Sequence, residues 1–135
     1  MMVSIGQLSQ QTGISTETIR YYERIALLPP AKRAANGYRQ YDERDIERLL
    51  FIKRSRALDF TLNDIREILA FRERNEPPCQ YVMTVMETQI DEIEQRIHDL
   101  EQLRSEIKAL HEAGQSLPDD VQMKTCVCHL IQTSV

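Results

Sequence analysis

Residues Gln80 to Ala113 read QYVMTVMETQIDEIEQRIHDLEQLRSEIKALHEA, a run without glycine or proline. Val82, Met86, Ile90, Ile93, Ile97 and Leu100 recur in steps of four or three, which puts them on one face of a helix. The other faces are charged or amide, among them Glu87, Gln89, Asp91, Glu92, Glu94, Gln95, Arg96, Asp99 and Glu101. Leu103, Ile107 and Leu110 continue the row one residue early for a strict heptad, a shift that local overwinding absorbs. Gly114 reads as the C-terminal stop. At ~1.5 Å per residue the helix is ~50 Å long. A small domain cannot cover so long an apolar row, and the chain has no second long helix, so the expected partner is another copy. Folding back on its own head is the alternative.

The chain has 135 residues, enough for one small domain with an extension. No stretch approaches the ~20 apolar residues of a membrane span. Met1-Met2-Val3 leads straight into a polar helix without the basic and apolar regions of a signal peptide, so a cytoplasmic protein is expected. Three cysteines, Cys79, Cys126 and Cys128, then point to metal or redox chemistry before disulfides. The net charge of −4 is unevenly shared: residues 1–75 carry 13 Lys and Arg against 10 Asp and Glu, and residues 76–135 carry 4 against 11. A surface for nucleic acid is therefore sought in the first part.

In that part, Ser4-Ile5-Gly6-Gln7 has the form of a capping box, with Ile5 and Leu8 turned inward and Gly13 closing a short helix. Ser15 caps a second helix, Thr16 to about Arg24, after a tight turn, which is the sequence form of a helix-turn-helix. Thr16, Thr18, Arg20 and Tyr21 surround inward Ile19 and Tyr22, and these polar groups are the kind that reach base edges and phosphates. Leu28-Pro29-Pro30 reads as the stop of this helix. Asn36-Gly37 favours a type I′ hairpin turn, so Lys32 to Tyr41 reads as a small β-wing anchored by Tyr38 and Tyr41. Asp42 caps a third helix with a broad apolar face of Ile46, Leu49, Leu50, Phe51 and Ile52. Thr61 begins a fourth, running to about Arg74, and Glu76-Pro77-Pro78 breaks the chain before Cys79.

Ile19-Arg20-Tyr21-Tyr22-Glu23, Leu27-Leu28-Pro29-Pro30, Asn36-Gly37-Tyr38-Arg39-x-Tyr41 and Phe51-Ile52-x-Arg54, followed by a long helix, closely resemble the MerR family of transcriptional regulators, over about residues 3 to 131. The resemblance implies a mainly α fold. A winged helix-turn-helix head with linker helices would occupy 1–75, an antiparallel dimerisation helix 76–114, and a metal-binding loop or tail 115–135. It implies a homodimer on a pseudo-palindromic promoter operator, untwisting and bending the DNA so that RNA polymerase holoenzyme meets both promoter elements in register. By motif matching it implies DNA contacts from Thr16, Arg20, Tyr21, Arg33, Tyr38 and Arg39.

In an antiparallel dimer, Cys79 of one protomer lies beside the far end of its partner's long helix, so the tail need bridge only a short gap. Within one chain the tail would have to run back almost fully extended. Cys79, Cys126, Cys128 and His129 then form a ligand set shared by two chains, twice per dimer. Sulfur-rich sites select zinc, cadmium, lead or mercury, or Cu(I), over magnesium and calcium. In divalent-metal members of the family a cysteine stands just ahead of the dimer helix where copper and silver sensors carry serine, and Cys79 matches it, disfavouring Cu(I). Those members also carry a cysteine at the helix end, where this chain has Ala113-Gly114 and bunches its thiols at Cys126 and Cys128 instead. His98 and His111 read as solvated, and Met83, Met86 and Met123 as packing residues.

The expected function is a metal-responsive, DNA-binding transcription regulator. The alternative keeps the same fold and makes the cysteines a redox or electrophile switch. An enzyme is excluded, because a zinc enzyme needs a pocket with an open metal position and a general base, and the chain has no room for such a domain.

Overall fold

The computed structural model describes residues 1–117 and 127–133. Its element order is α1 (Ile5–Thr12), α2 (Thr16–Arg24), β1 (Lys32–Arg33), β2 (Arg39–Gln40), α3 (Glu43–Ala57), α4 (Leu62–Glu73), α5 (Cys79–Gln115) and α6 (Val127–Thr133). By contacts the chain divides into two units, 1–85 and 86–135.

In the first unit, local chemistry sets where each helix starts. Ser4 with Gln7, Asp42 with Asp45 and Thr61 with Asp64 form reciprocal capping boxes, and Ser15 accepts from the Thr18 N–H. Gly13, at φ 71°, closes α1 as its sequence predicts. Three other helices end in a shared device. After α2, α3 and α4 a residue in the left-handed region follows the cap: Ala26 (φ 59°), Asp59 (φ 62°) and Asn75 (φ 56°). After α2 the Ala26 N–H bonds the Glu23 carbonyl and the Leu27 N–H bonds that of Tyr22, the paired bonds of a Schellman motif. Asp59 and Phe60, then Asn75 and Glu76, repeat the pattern.

That geometry corrects one expectation. Leu28-Pro29-Pro30 does not stop α2, which has already ended at Arg24. The Schellman turn instead sends Leu27 and Leu28 inward, where both are fully buried. The wing also departs from its expected turn. Asn36 is not left-handed, so the turn is not type I′. Gly37 (φ 84°) donates to the Ala34 carbonyl while the Ala34 N–H donates to Tyr38, a three-residue loop ending in a glycine bulge. Asn36 serves through its side chain, whose Oδ1 accepts from the Tyr38 N–H at 3.1 Å.

The core of this unit joins Leu8 of α1, Ile19 and Tyr22 of α2, Leu49 and Ile52 of α3, and Ile65, Ile68 and Leu69 of α4 around Leu27, Leu28, Tyr41 and Phe60. Leu50, expected on the apolar face of α3, is instead exposed, and Phe51 is half-buried with the Arg72 guanidinium 5.1 Å above its ring. Tyr81, Val82 and Val85, from the first turns of α5, pack on the edge of the core.

The helix α5 begins at Cys79 and passes through Gly114 to Gln115, so the predicted glycine stop does not operate. It has no buried residue. Met86, Ile90, Ile93, Ile97, Leu100, Leu103 and Ile107 form an exposed apolar row at the expected spacing. No helix among the described residues is long and apolar enough to cross a membrane.

Alanine held at positive φ costs ~1–2 kcal/mol, part of which glycine returns as unfolded-chain entropy. Ala26→Gly is therefore expected to stabilise the protein by up to ~1 kcal/mol, read as a higher urea midpoint. A lower midpoint would show that the Ala26 methyl contributes more by contact than its backbone loses by strain.

Candidate nucleic-acid interface and thiol positions

The nine residues of α2 are held from three sides. Ile19 and Tyr22 anchor its inner face. At its C-terminal end, Arg66 Nη2 donates to the Ile25 carbonyl at 2.7 Å and Arg48 Nε to the Leu27 carbonyl at 2.8 Å. Two guanidiniums thus satisfy carbonyls just where the helix dipole is negative. Lys53 does the same for α1, reaching the Thr12 carbonyl at 2.9 Å. The third hold is Glu23, whose Oε1 accepts a short hydrogen bond from the Tyr41 hydroxyl and whose Oε2 lies 4.0 Å from Arg39 Nε.

Tyr41 is the pivot between wing and helices. Its ring is fully buried, and its backbone N–H and carbonyl both pair with Val3. Burial, then the hydrogen bond to Glu23, raises its phenol well above the ordinary tyrosine value. Tyr22 is raised as well, first by burial, with Arg56 pulling the other way.

Against this frame α2 turns outward Arg20 and Tyr21, both exposed, with Thr16 half-buried at its start. Arg24 stacks its guanidinium 5.6 Å from the Tyr21 ring. Lys32 pairs across the wing base with Asp42 at 3.4 Å. Arg33 Nη1 donates to the Gly37 carbonyl at 2.9 Å, so its charge is held over the loop. Tyr38, expected as an anchor, is 73% exposed and projects into solvent, which leaves Tyr41 as the residue that fixes the wing. Between α1, α2 and the wing lies an open cleft of about 330 Å³ lined by Ser4, Ile5, Arg20, Arg33, Tyr38 and Arg39 with Gly37. Four of the six residues expected at the DNA surface therefore share one cleft. Tyr21 and Thr16 stand on the same helix outside it.

Long-range fasteners were not foreseen from the sequence. Glu23, Arg48, Lys53 and Arg66 act on partners far along the chain, where helical periodicity carries no information.

The thiols stand apart from this surface in chain position. Cys79 is the first residue of α5, not the residue before it, and is exposed. It lies at the rim of a shallow hollow of about 620 Å³ lined by Phe71, Pro77, Tyr81 and Thr84. Cys128, exposed, and His129, half-buried, sit in the first turn of α6, a short helix within the stretch read as a loop or tail. Cys126 and Met123 lie outside the described residues. Among the described residues of one chain no three Cys, His, Asp or Glu side chains come together to hold a metal. His98 and His111 are exposed, as expected, whereas Met83 and Met86, expected as packing residues, are exposed on α5.

Two short helices across a tight turn, a two-stranded wing beside the second, and an arginine-lined cleft between them define a winged helix-turn-helix DNA-binding protein. Comparison with known proteins gives the family. Residues 3–71 match the model of the MerR HTH family regulatory protein, and residues 46–110 that of the MerR DNA-binding region. The chain belongs to the MerR family of transcriptional regulators, and it is not an enzyme.

It is 38% identical over 112 residues to a mercuric resistance operon regulatory protein of Bacillus cereus, covering 83% of this chain and 85% of that one. It is 36% identical over 127 residues to a ZntR homologue of Haemophilus influenzae, covering 94% and 93%. A crystal structure of the regulator PbrR691 from Ralstonia metallidurans CH34 in complex with lead(II) superimposes with a TM-score of 0.78 at 32% identity, over 95% of this chain and 98% of that one.

The side chain of Glu23 is 11% exposed, so loss of its donor leaves a nearly buried carboxylate short of one bond. Tyr41→Phe is expected to destabilise the protein by ~1–3 kcal/mol. Chemical denaturation measures it, and an unchanged midpoint would mean that water replaces the hydroxyl without loss.

Proposed function

We propose that this regulator responds to a thiophilic divalent metal and binds its promoter operator as a homodimer through Thr16, Arg20, Tyr21, Arg33, Tyr38 and Arg39. Metal bound by thiolates shared between the two chains sets the distortion of the DNA, and with it access for RNA polymerase holoenzyme. The observation that carries this reading is the exposed apolar row of α5, Met86 to Ile107, with thiols before and after it in the chain. At ~25 cal/mol per Å² of apolar surface, leaving seven such side chains in water forgoes a large part of what a helix of this length can gain. A second, antiparallel copy of α5 supplies matching side chains along the whole row.

The donor set fits a metal of the kind named for the relatives, which regulate mercury resistance, carry the name ZntR, or hold lead(II). Cys79 and Cys128 would hold the ion, joined by Cys126 and His129. Thiolate and imidazole donors suit zinc, cadmium, lead or mercury, and such a site must shed protons to bind. An antiparallel pairing brings Cys79 of one protomer to the tail of its partner, whereas a single α5 of ~55 Å separates the two in chain path.

Ile97→Asp is expected to abolish the dimer, because it places an unpaired carboxylate in the seam at a cost of several kcal/mol. Operator affinity should fall with it, since one head covers one half-site. An intact dimer in sedimentation would put the seam on another face of α5.

The shared site has its own test. A heterodimer of one Cys79→Ser chain and one Cys128→Ser chain carries both lesions at one site and none at the other. It is expected to bind one metal ion per dimer, and either mutant homodimer none tightly. A stoichiometry near zero in the purified heterodimer would instead place all ligands of a site within one chain.

A further inference from the structure

A carboxylate is out of place on a surface that faces phosphates. Glu23 stands one helical turn after Arg20 on α2, 4.0 Å from Arg39, which with Arg20 and Arg33 lines the cleft. Left free, it would repel the DNA backbone. It is not free: its side chain is 11% exposed, and both of its oxygens are turned to the wing, one to the Tyr41 hydroxyl and one toward Arg39.

The wing needs such a hold. Its strands are two residues long and joined by the pairs Lys32–Gln40 and Arg33–Arg39. A hairpin of this size has almost no stability alone. Tyr41 ties the end of β2 to Val3 through the backbone, which fixes where the wing leaves the core. That hinge leaves open the angle at which the hairpin stands over α2. Glu23 closes the angle, because it accepts a hydrogen bond at the hinge from Tyr41 and faces the Arg39 guanidinium at 4.0 Å two residues back along the strand.

We propose that Glu23 is the positioning residue that sets the wing against the recognition helix, so that Arg33 and Arg39 meet phosphate while Arg20 meets the groove. This rests on the DNA-contact reading given above. Glu23 touches no DNA itself. It spaces two groups of contacts that must act on one duplex at once, and a spacing error of an ångström is enough to lose one of them.

The test is a double-mutant cycle on operator affinity, measured across a range of salt. Arg33→Ala with Arg39→Ala removes the wing contacts. It should flatten the slope of log affinity against log salt by about 2 per head and lower affinity roughly tenfold per head. Glu23→Ala should reproduce most of both effects. Adding the arginine changes to Glu23→Ala should then cost little more, the non-additivity of residues acting through one another. Glu23→Gln keeps an acceptor for the Tyr41 hydroxyl but loses the charge opposite Arg39, and should fall between Glu23→Ala and the parent.

Hydrogen exchange of the DNA-free protein reads the strut independently of DNA. The amides of residues 32–40 should exchange at least about tenfold faster in Glu23→Ala, with those of α3 and α4 unchanged. If Glu23→Ala does not fold, Glu23→Met with Tyr41→Phe deletes the same tie without orphaning a buried polar atom, and should show the same exchange.

Additive losses with a parental salt slope, or unchanged wing exchange, would overturn the proposal. Tighter binding by Glu23→Ala would overturn it too, showing that Glu23 restrains Arg39 from DNA. If the arginine pair itself leaves the slope unchanged, the wing contacts are wrong, while the exchange data still judge the strut.

Discussion

A nine-residue helix has little stability of its own in water, so α2 exists because the head grips it. The grip is distributed by type of force. Ile19 and Tyr22 supply burial, which is strong and indifferent to direction. Arg66 and Arg48 supply directed bonds to the Ile25 carbonyl at the cap and the Leu27 carbonyl just past it. Burial alone would let so short a helix roll or slide by a fraction of a turn. The two guanidiniums, one from α3 and one from α4, remove that freedom, and Glu23 extends the same rigidity to the wing. A surface that must match the rise of a duplex needs this second kind of hold more than it needs further stability.

Arginine suits these posts because its planar fork holds more than one acceptor at once. Arg48 shows it: Nε takes the Leu27 carbonyl while Nη1 takes Glu73 at 2.8 Å. One side chain thus ties the end of α2 to the end of α4. Arg48, Lys53 and Arg66 spend part of the positive charge of residues 1–75 on backbone carbonyls of the head itself. Other cations of this part, among them Arg44, Arg54 and Arg74, are exposed but do not line the cleft. Only Arg20, Arg33 and Arg39 do, which explains why net charge by itself was a weak guide to the DNA surface.

The sequence showed most clearly what is decided within four residues. The capping box at Ser4 was legible because cap and reciprocating side chain lie three positions apart. Asp42 and Thr61 were legible as helix starts, although their reciprocating partners Asp45 and Asp64 were not read. The apolar row of α5 was legible because 3.6-residue periodicity survives over about six turns, Met86 to Ile107. Stops were read less well. Proline and glycine were taken as the punctuation, yet α2 ends on an alanine in the left-handed region and α5 runs through Gly114. The Schellman end of α2 is fixed by burying Leu27 and Leu28, a tertiary gain that outweighs the local preference of alanine. Asn36-Gly37 failed as a type I′ signal for a similar reason: the Asn36 side chain found the Tyr38 N–H, and glycine alone took the positive φ. At the site, Cys79 and the arginine cleft were visible as residue types in order. Glu23 was not, because its meaning depends on Tyr41, eighteen residues away.

The placement of Cys79 bears on how a thiol could be felt at the DNA. Two residues after it, Tyr81 sets its ring 5.8 Å from Phe71 near the end of α4 and its hydroxyl 3.5 Å from Asp64 at the start of α4. Asp64 is also the reciprocating half of the α4 capping box. The first turn of α5 is therefore keyed to both ends of α4, and α4 carries Arg66, which holds the end of α2. Contacts in a row do not make a switch, since a ligand shifts only an equilibrium between states it binds unequally. What the row does is limit where the two states can differ. In the regulator proposed above, a change imposed at Cys79 would reach the head through this first turn of α5. In the proposed dimer it would appear as a change in the spacing of two recognition helices, the quantity to which a bent and untwisted operator is sensitive.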